Sequence, residues 1–331
     1  MRVGIVGAGS MGQAHAAGWV QTEATLVGFL SNEQTSAEVL ARRYGARTFA
    51  NYRALLDEVD VVDLCVPTDL HYELALQAAQ AGKHAVCEKP LALSLGEAKA
   101  MIDVCHDAGV RLFVAHVLRF FPQYRSAADA VRAGHLGDLG VMRFKRVSYP
   151  PHAGQASWFA DEERSGGMIF DLMIHDLDYA RWLGGDVTRV FAKSVRSTHP
   201  GANGDYALVT LRFASGAMAL VEGGWVYPPG VFRTGFDLAG TDGLIEWSSD
   251  DTEPVHRYLR GEAGSAAAVG LPLTVLPEDP YTTEIKHVYE ALRDDTPFLV
   301  APEDAFEALR LCVSARESLR RGRAVRPEEV A

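Results

Sequence analysis

VGIVGAGSMG, the stretch from Val3 to Gly12, joins a short apolar run to a glycine-rich turn. The run is typical of a buried strand, and a helical pattern follows the turn. In this G-x-G-x-x-G setting, Gly7 allows a tight turn, Gly9 lets the backbone approach a diphosphate, and Gly12 lets helix and strand pack closely. The dipole and N–H groups of the helix start also favour a bound diphosphate. We therefore predict a dinucleotide site that includes Gly7, Gly9, Ser10, Met11 and Gly12.

Apolar runs of strand length alternate with helical patterns through the first part of the chain. The predicted strands are Val3–Val6, Thr25–Leu30, Val61–Val66, His84–Cys87 and Leu112–Ala115, and the predicted helices include Ser36–Tyr44, Leu70–Ala81 and Leu95–Ala108. Uniformly apolar strands separated by helices indicate parallel β-α-β units with both sheet faces covered. We predict an α/β, doubly wound (Rossmann) parallel-sheet domain over residues 1–118.

The pattern changes after His116. Helices are predicted at Pro122–Ala133 and Ile169–Leu183, and strands at Val141–Ser148, Arg189–Val195, Tyr206–Phe213, Ala217–Val226, Phe232–Ala239 and Leu244–Trp247. A run of strands after a run of β-α units indicates a separate α+β domain. We predict a substrate-binding and oligomerisation domain with a large, mostly antiparallel open sheet over residues 119–300. A small-residue surface loop is expected at 261–270, and a C-terminal helix and tail at 301–331 are expected to pack back on the first domain.

Composition and charge narrow the class of protein. The 331 residues suggest two domains at roughly 150 residues each, and 32 basic against 43 acidic residues give a net charge of −11. An acidic chain without a dense basic run argues against nucleic-acid binding. No apolar run is long enough for a membrane span, and the start does not resemble a signal peptide. The four cysteines include no C-x-x-C pair, and we expect a cytoplasmic protein.

The residue that ends the second predicted strand bears on which dinucleotide is bound. About 20 residues beyond the glycines, the position that often holds an acid in NAD-binding folds reads Ser31-Asn32, followed by Glu33. A serine can hydrogen-bond a 2′-phosphate without repelling it, which favours NADP. No arginine stands beside it and Glu33 could face the ribose, so NAD stays open.

Two further groups carry candidate chemistry. Lys89 follows Glu88 at the end of the strand His84–Cys87, on the edge where doubly wound sheets bind ligands. It is a candidate substrate contact, or else a solvated loop lysine. Asp171 and His175 lie four apart on an apolar helix and share one face. One alternative to a catalytic pair is that Asp171 and His175 simply hydrogen-bond each other inside the core. Another is a metal site, which is weakly supported because only two ligands are present.

These motifs together resemble one family. The chain is similar over nearly its full length to the glucose–fructose oxidoreductase / inositol dehydrogenase / MocA family of NAD(P)-dependent oxidoreductases. The resemblance runs through Gly7–Gly12, Pro67-Thr68 with His71, Gly82-Lys83-His84, Glu88-Lys89-Pro90, Arg119-Phe120 with Pro122, Gly166-Gly167, Asp171, His175-Asp176 and Gly240–Gly243. The chain departs from the family pattern at Asp69, where asparagine is common, and at Ser31, where an acid is common.

The resemblance implies an activity and its residues. It places Lys89 and His175 on either side of a substrate hydroxyl with Asp171 close by, and it implies cofactor contacts from Pro67, Thr68, His71, Glu88 and Lys89. Some relatives carry tyrosine in place of the histidine, so His175 suggests a polyol or inositol dehydrogenase. A neutral imidazole can accept the hydroxyl proton at physiological pH. We therefore expect His175 to act as the base, Lys89 to favour the developing alkoxide and Asp171 to orient the substrate or the imidazole. No metal is needed.

Several other polar residues are weaker candidates. Arg119 and Trp158 are candidate substrate contacts. Tyr149, His152 and Tyr227 are further pocket candidates, and His116 could approach the nicotinamide; each of these is equally compatible with packing.

Alternatives remain at this stage. The chain could be a non-catalytic dinucleotide-binding regulator, or a dehydrogenase of a non-sugar diol. The retention of Lys89, Asp171 and His175 together favours an enzyme acting on a small polyhydroxylated substrate. The strand Ala217–Val226 is apolar on both sides, which leaves an apolar sheet face beside the one that helices cover. We expect a homodimer or homotetramer formed through this second-domain sheet.

Overall fold

The computed structural model describes residues 1–151, 158–196, 205–250 and 278–330. The predicted loop at 261–270 and the candidate His152 lie outside the described residues.

The first sheet has six parallel strands in the order β3-β2-β1-β4-β5-β6. These are β1 (Arg2–Val6), β2 (Thr25–Leu30), β3 (Arg47–Thr48), β4 (Val61–Leu64), β5 (His84–Glu88) and β6 (Leu112–Ala115). The order reverses between β1 and β4, so ligands of such a sheet bind beyond the carboxyl ends of these two strands. The predicted doubly wound fold is confirmed.

The helices of this sheet begin and end where local chemistry predicts. They are α1 (Ser10–Trp19), α2 (Gln34–Tyr44), α3 (Tyr52–Leu56), α4 (His71–Gln80) and α5 (Leu95–Asp107). Ser94 caps α5 by accepting the Glu97 N–H at 3.2 Å, and Asn51 caps α3 through the Ala54 N–H at 2.9 Å. Gly45 ends α2 with a φ of 64°.

The second sheet also has six strands, in the order β12-β11-β7-β10-β9-β8. These are β7 (Leu139–Ser148), β8 (Val187–Arg196), β9 (Asp205–Phe213), β10 (Met218–Trp225), β11 (Arg233–Gly240) and β12 (Leu244–Ser248). Only the β7–β10 pair is parallel within this sheet, so the predicted mostly antiparallel sheet is confirmed.

One face of the second sheet is covered by helix, and the other exposes several large apolar side chains. The helices are α6 (Pro122–Arg132), α7 (Glu162–Ser165) and α8 (Ile174–Gly184), and α8 packs on β7 and β10. The inward side chains of β11 are buried, among them Phe236 and Leu238. On the opposite side, which we call the outer face, Phe191, Leu208, Met218 and Leu220 are 36–47% exposed.

The chain divides into two compact units. One comprises Met1–Phe120 with Val275–Phe306, and the other comprises Phe121–Thr274 with Glu307–Ala331. Two further helices, α9 (Pro280–Arg293) and α10 (Pro302–Arg321), follow the second sheet in sequence. Helix α9 belongs to the first unit and packs on α1, where an ideal Cβ at Gly18 would lie only 2.8 Å from the Ile285 side chain. The sequence-based boundaries at 118 and 300 remain predictions.

Within the described ranges, none of the helices combines the length and apolarity that crossing a bilayer demands.

Candidate active site

The glycine turn after β1 has the geometry that its sequence predicts. Gly7 has a φ of 105°, and a Cβ there would overlap the carbonyl oxygen of Cys65. A Cβ at Gly12 would overlap the carbonyl of Gly7, so the start of α1 packs directly on the turn. A Cβ at Gly9 would meet nothing within 4 Å. The exposed Gly9 backbone therefore has room beside it for a ligand.

Gly9 also caps α1, without a side-chain hydrogen bond to the helix. Ser10 and Met11 are partly exposed on the first turn. The first N–H groups of a helix have no partner within the helix, so this turn presents donors where a diphosphate would lie. The residues present fit a dinucleotide.

A neutral turn follows β2. The Ser31 hydroxyl accepts the Glu33 N–H at 3.1 Å, and the Ser36 hydroxyl donates to the Glu33 carboxylate at 2.9 Å. Asn32 and Glu33 are exposed, and Ser31 is partly buried. Because the Ser31 hydroxyl only accepts in this contact, its O–H is still able to donate to a ligand oxygen.

The segment after β4 is tied to the segment after β5 by one histidine. His71 is fully buried, with Nδ1 2.9 Å from the carbonyl oxygen of Pro90 and Nε2 3.0 Å from that of Val66. Burial lowers the pKa of His71, although both carbonyls act to raise it. Thr68 is buried beside it and Pro67 is partly exposed. The ring of His71 thus fixes the two segments that the cofactor prediction names.

Lys89 stands at the carboxyl end of β5. It is partly exposed, its peptide bond to Pro90 is cis, and its N–H donates to the Glu88 carboxylate at 3.0 Å. The strand places the ammonium-bearing side chain on the edge of the sheet where ligands bind.

A buried polar cluster lies behind Lys89 in the same unit. His15 on α1 has Nδ1 2.9 and 3.0 Å from the Asp63 carboxylate oxygens and Nε2 3.1 Å from Glu88 Oε1. The indole N–H of Trp19 donates to Asp63 at 2.7 Å. His15, Asp63 and Trp19 are fully buried and Glu88 is 6% exposed.

Burial and proximity set the charges of this cluster. Burial alone would lower the pKa of His15, but the charges and hydrogen bonds of Asp63 and Cys65 together raise that pKa well above its usual value. Burial would raise the pKa of Glu88. The neighbouring His15 and the charge and N–H of Lys89 outweigh burial, so the pKa of Glu88 is lowered. Burial raises the pKa of Glu284 on α9 well above its usual value. These shifts favour the protonated imidazole of His15, the ionised carboxylate of Glu88 and the protonated acid of Glu284.

Three ligating atoms of this cluster lie close together. His15, Asp63 and Cys65 bring a nitrogen, an oxygen and a sulfur within 4.8 Å of one another. The Cys65 sulfur is 3.3 Å from His15 Nδ1 and 3.4 Å from Asp63 Oδ1, which are hydrogen-bond distances. Burial raises the pKa of the Cys65 thiol, so the thiolate that a metal prefers is disfavoured.

In the second unit, Asp171 and His175 lie on either side of a change in helix geometry. Ile169–Met173 forms a π-helical turn that runs directly into α8, and both polar residues are partly buried. The sequence predicts a continuous α-helix here, and the structure differs. Such turns are frequent at functional sites. Gly223 on β10 admits this one, because a Cβ there would overlap the Met173 side chain.

An ion pair anchors α8 next to His175. Arg146 on β7 donates to both carboxylate oxygens of Asp176, at 2.7 and 3.1 Å, and lies 3.4 Å from the Tyr124 hydroxyl. Burial raises the pKa of Asp176, and the Arg146 guanidinium counteracts it. All three side chains are buried, so the start of α8 is fixed to the central strand.

Arg119, a candidate substrate contact, is buried in the first unit. Arg119 is 0% exposed, and its guanidinium donates to the Leu299 carbonyl at 3.1 Å and to Asp304 at 2.9 Å. These contacts tie Arg119 to the segment before and at the start of α10 within the first unit. The predicted substrate contact at Arg119 stays a prediction.

The remaining candidates differ in how far their side chains are exposed to solvent. Trp158 is partly exposed and stacks on Phe159 with ring centroids 4.0 Å apart. His116 is 0% exposed and Tyr149 is 6% exposed, as packing residues are, whereas Tyr227 is partly exposed.

Sequence reasoning missed the buried polar partners. His15 and Asp63 escaped notice because α1 and β4 were interpreted only through their apolar residues. The signal was present, since a carboxylate inside the apolar strand VVDL must find a partner. Arg146 and Glu284 gave no such signal. Their elements also carry exposed charged residues, such as Arg143 on β7 and Glu290 on α9, so a buried charge does not stand out in the sequence.

Comparisons with known proteins match both units. The family model described as the oxidoreductase family with an NAD-binding Rossmann fold (GFO_IDH_MocA) matches residues 1–116. The model of the GFO/IDH/MocA C-terminal domain matches residues 124–246.

Individual relatives match along the whole chain. Myo-inositol 2-dehydrogenase of Thermotoga maritima is 30% identical, over 100% of this chain and 99% of that protein. D-xylose 1-dehydrogenase (NADP(+)) 2 of Haloferax volcanii is 29% identical, over 98% and 99% of the two chains. The crystal structure of GenD2 from gentamicin A biosynthesis, in complex with NAD, superposes with a TM-score of 0.86 at 25% identity, over 98% and 96% of the two chains.

Fold, glycine turn and relatives together define an NAD(P)-dependent oxidoreductase. The chain belongs to the GFO/IDH/MocA family, and the resemblance noted in its sequence is confirmed.

Proposed function

We propose that this enzyme oxidises a secondary alcohol of a sugar, inositol or related polyol to the ketone, or catalyses the reverse reduction. Relatives at about 30% identity are named for inositol and xylose dehydrogenation. The observation that carries the proposal is the presence of Lys89 at the ligand-binding edge of a Rossmann sheet in a chain that also has Asp171 and His175. A non-catalytic regulator has no need of this set.

The chemistry divides between these side chains. When bound, NAD(P)⁺ accepts the hydride that leaves the carbinol carbon. The neutral imidazole of His175 accepts the hydroxyl proton. An imidazole can act as a general base at physiological pH. The Lys89 ammonium stabilises the negative charge that develops on the oxygen. Asp171 orients a substrate hydroxyl or fixes the His175 tautomer, and reduction runs the same transfers backwards.

The dinucleotide contacts are proposed to come from the first unit. Gly7, Gly9, Ser10, Met11 and Gly12 hold the diphosphate, supported by the open space beside Gly9. Pro67, Thr68, Glu88 and Lys89 follow on the neighbouring strand ends, with His71 fixing their backbone. On the substrate side, Trp158 joins Lys89, Asp171 and His175.

We favour NADP over NAD because the turn after β2 is neutral at Ser31. The Ser31 hydroxyl has a free proton to donate to a 2′-phosphate, and a carboxylate there would repel it. The test compares kcat/KM for the two dinucleotides in the wild type and in Ser31→Asp. We expect Ser31→Asp to lower kcat/KM with NADP more than with NAD. An unchanged ratio would remove Ser31 as the determinant.

No metal enters this proposal, since Lys89 supplies the positive charge and His175 takes the proton. Turnover is expected to survive dialysis against EDTA unchanged. Loss of turnover that zinc or magnesium restores would contradict this part of the mechanism.

We further propose a cytoplasmic homodimer or homotetramer that assembles through the outer face of the second sheet. The four cysteines, all among the described residues, form no disulfide, as is usual in reducing compartments. The outer face exposes four large apolar side chains, those of Phe191, Leu208, Met218 and Leu220, which a second subunit could cover.

The activity is tested by following absorbance of the reduced nicotinamide with inositols, aldoses and sugar acids against both dinucleotides. On the best substrate, Lys89→Ala and His175→Ala should each lower kcat by about 10²- to 10⁴-fold. Lys99→Ala and His135→Ala, which alter exposed residues of the same two types, serve as matched controls and should stay near wild type. Near-normal turnover in both site variants would show that the assignment is wrong.

A further inference from the structure

In the buried cluster of His15, Asp63, Glu88 and Glu284, only Glu88 has a role in the function proposed above, as a dinucleotide contact. The burial of the other three groups needs an explanation. Burying ionised groups is costly unless partners compensate, and replacing such groups by apolar residues is often neutral or stabilising. This cluster brings three carboxyl groups and an imidazole into the interior of one unit. Elements from opposite ends of the chain contribute to it, namely α1, β4, β5 and α9.

The contacts form a continuous path to the backbone of Lys89. Asp63 holds Nδ1 of the His15 imidazolium, and Nε2 lies 3.1 Å from Oε1 of Glu88, at ion-pair distance although off the linear hydrogen-bond direction. The other Glu88 oxygen, Oε2, accepts the Lys89 N–H at 3.0 Å. One carboxylate therefore faces the buried cation with one oxygen and the main chain of Lys89 with the other.

The charge of His15 stabilises the Glu88 carboxylate in the position where it accepts the Lys89 N–H. Glu88 is 6% exposed, so without His15 its ionised carboxylate would lack a neighbouring compensating charge in the cluster other than Lys89 itself. Its carboxylate would then turn towards the Lys89 ammonium or towards solvent and release the Lys89 N–H. The side chain of Lys89 would move with its backbone, and a misplacement of about 1 Å can cost about 10²-fold in rate.

We propose that His15 is a positioning residue for the reaction, holding Glu88 so that Glu88 fixes the backbone from which Lys89 reaches the substrate. This inference rests on the proposed role of Lys89. The groups that face His15 are Asp63 and Cys65 from β4 and the residues after it, Glu88 from β5 and Glu284 from α9. Trp19, on the same helix as His15, donates to Asp63.

The test is a double-mutant cycle in the full-length enzyme. His15→Asn keeps a donor for Asp63 but loses the charge and the reach to Glu88. We expect it to lower kcat about 10- to 100-fold on the polyol chosen by the screen, with KM for the dinucleotide changed less than about threefold. In the Lys89→Ala background, the same substitution should change kcat less than about threefold, because no ammonium is left to misplace.

Two further variants serve the same test. Glu88→Gln retains the shape and an oxygen for the Lys89 N–H but loses the charge, and we expect a smaller decrease in kcat than for His15→Asn. It also decides the question if His15→Asn does not fold. His106→Asn, at a histidine whose side chain is 87% exposed on α5, is the matched control and should leave kcat unchanged.

The outcomes separate this inference from the function on which it rests. Normal turnover of Lys89→Ala would overturn the proposed role of Lys89 and this inference with it. If Lys89→Ala is impaired while His15→Asn and Glu88→Gln retain kcat per folded molecule, only the positioning role is overturned. The positioning role would also be overturned if His15→Asn lowered kcat by the same factor in the Lys89→Ala background as in the wild type. A stoichiometric metal ion in the purified enzyme that His15→Asn removes would overturn it as well, because the cluster would then be a metal site.

Discussion

Three glycines in one turn serve different purposes, and the space around each of them shows which. Gly7 adopts a left-handed backbone against Cys65, Gly12 touches the carbonyl of Gly7, and Gly9 faces open space. Only Gly9 is free of a structural reason to be glycine. The absence of a side chain there is therefore best explained by a ligand, which separates binding from folding within a single turn.

This separation predicts opposite behaviour for two alanine variants. Gly9→Ala should keep the wild-type free energy of unfolding and lower dinucleotide affinity by about tenfold or more, equivalent to ~1.4 kcal/mol. Gly12→Ala should lower the free energy of unfolding by about 1–3 kcal/mol through overpacking. Chemical denaturation and fluorescence titration with NADPH measure the two quantities. A destabilised Gly9→Ala with unchanged affinity would contradict the interpretation.

Glu284 gives a pH-dependent prediction. The unfolded chain ionises this carboxyl near its ordinary pKa, whereas burial raises its pKa in the folded state and keeps the proton bound. The folded state then binds more protons between the two pKa values, so this residue lowers stability as pH rises, by at most about 1.4 kcal/mol per pH unit. Glu284→Gln removes the dependence. Its stability gain should be absent near the ordinary pKa of glutamate and grow towards neutral pH.

Urea denaturation at several pH values measures this gain, and Glu290→Gln on the exposed side of the same helix is the matched control. A gain for Glu284→Gln that does not vary with pH would mean that Glu284 is ionised in the folded protein.

At the scale of single residues, the sequence predicted well what depends on local backbone chemistry. Gly7, Gly9 and Gly12 could be interpreted from spacing alone, because strand, turn and helix lie within one short stretch. Arg119 could not, because its partners Leu299 and Asp304 are about 180 positions away in the chain. A basic residue after a strand looks the same in the sequence whether it faces a substrate or a carboxylate of the same unit.

At the scale of elements, the π-helical turn at Ile169–Met173 is the main departure from expectation. Its residues have ordinary helical periodicity, so the sequence of the helix itself predicts an α-helix. The cause lies on another element, where Gly223 of β10 leaves space for Met173. The short β3 and α3 were missed for a related reason, since two and five residues are too few to establish a period.

Filling that space should therefore disturb the turn that carries Asp171. We expect Gly223→Ala to lower the free energy of unfolding by about 1–3 kcal/mol and to reduce turnover beyond the loss of folded protein. Gly140→Ala on the neighbouring β7, where a Cβ would lie 3.8 Å from its nearest contact, is the control and should stay within about 0.5 kcal/mol. Equal stability of the two variants would contradict the steric explanation.

At the scale of the whole molecule, the outer face is the surface through which we expect subunits to associate. Leu220 is 40% exposed at its centre, next to Thr210 and Arg143 on the adjacent strands. A lysine there would bring an additional charge into any interface that covers the face.

We expect Leu220→Lys to convert a dimer or tetramer to a smaller species in sedimentation velocity at micromolar protein, without lowering the melting temperature of the monomer. Val39→Lys, at a residue 49% exposed on α2, is the matched control and should leave the assembly unchanged. A wild-type protein that sediments as a monomer would contradict the proposed assembly through the outer face.

The return of the chain to its first unit affects how the enzyme can be made. Ile285, Val288, Tyr289 and Val300 complete the same apolar core as Val3 and Trp19, and Arg111 donates to the Ala291 carbonyl at 2.6 Å. During synthesis, the amino-terminal Rossmann sheet must therefore wait for nearly the entire polypeptide to leave the ribosome before its core closes. A gene fragment that stops after β6 would encode a sheet with an uncovered apolar side, prone to aggregate or to recruit chaperones.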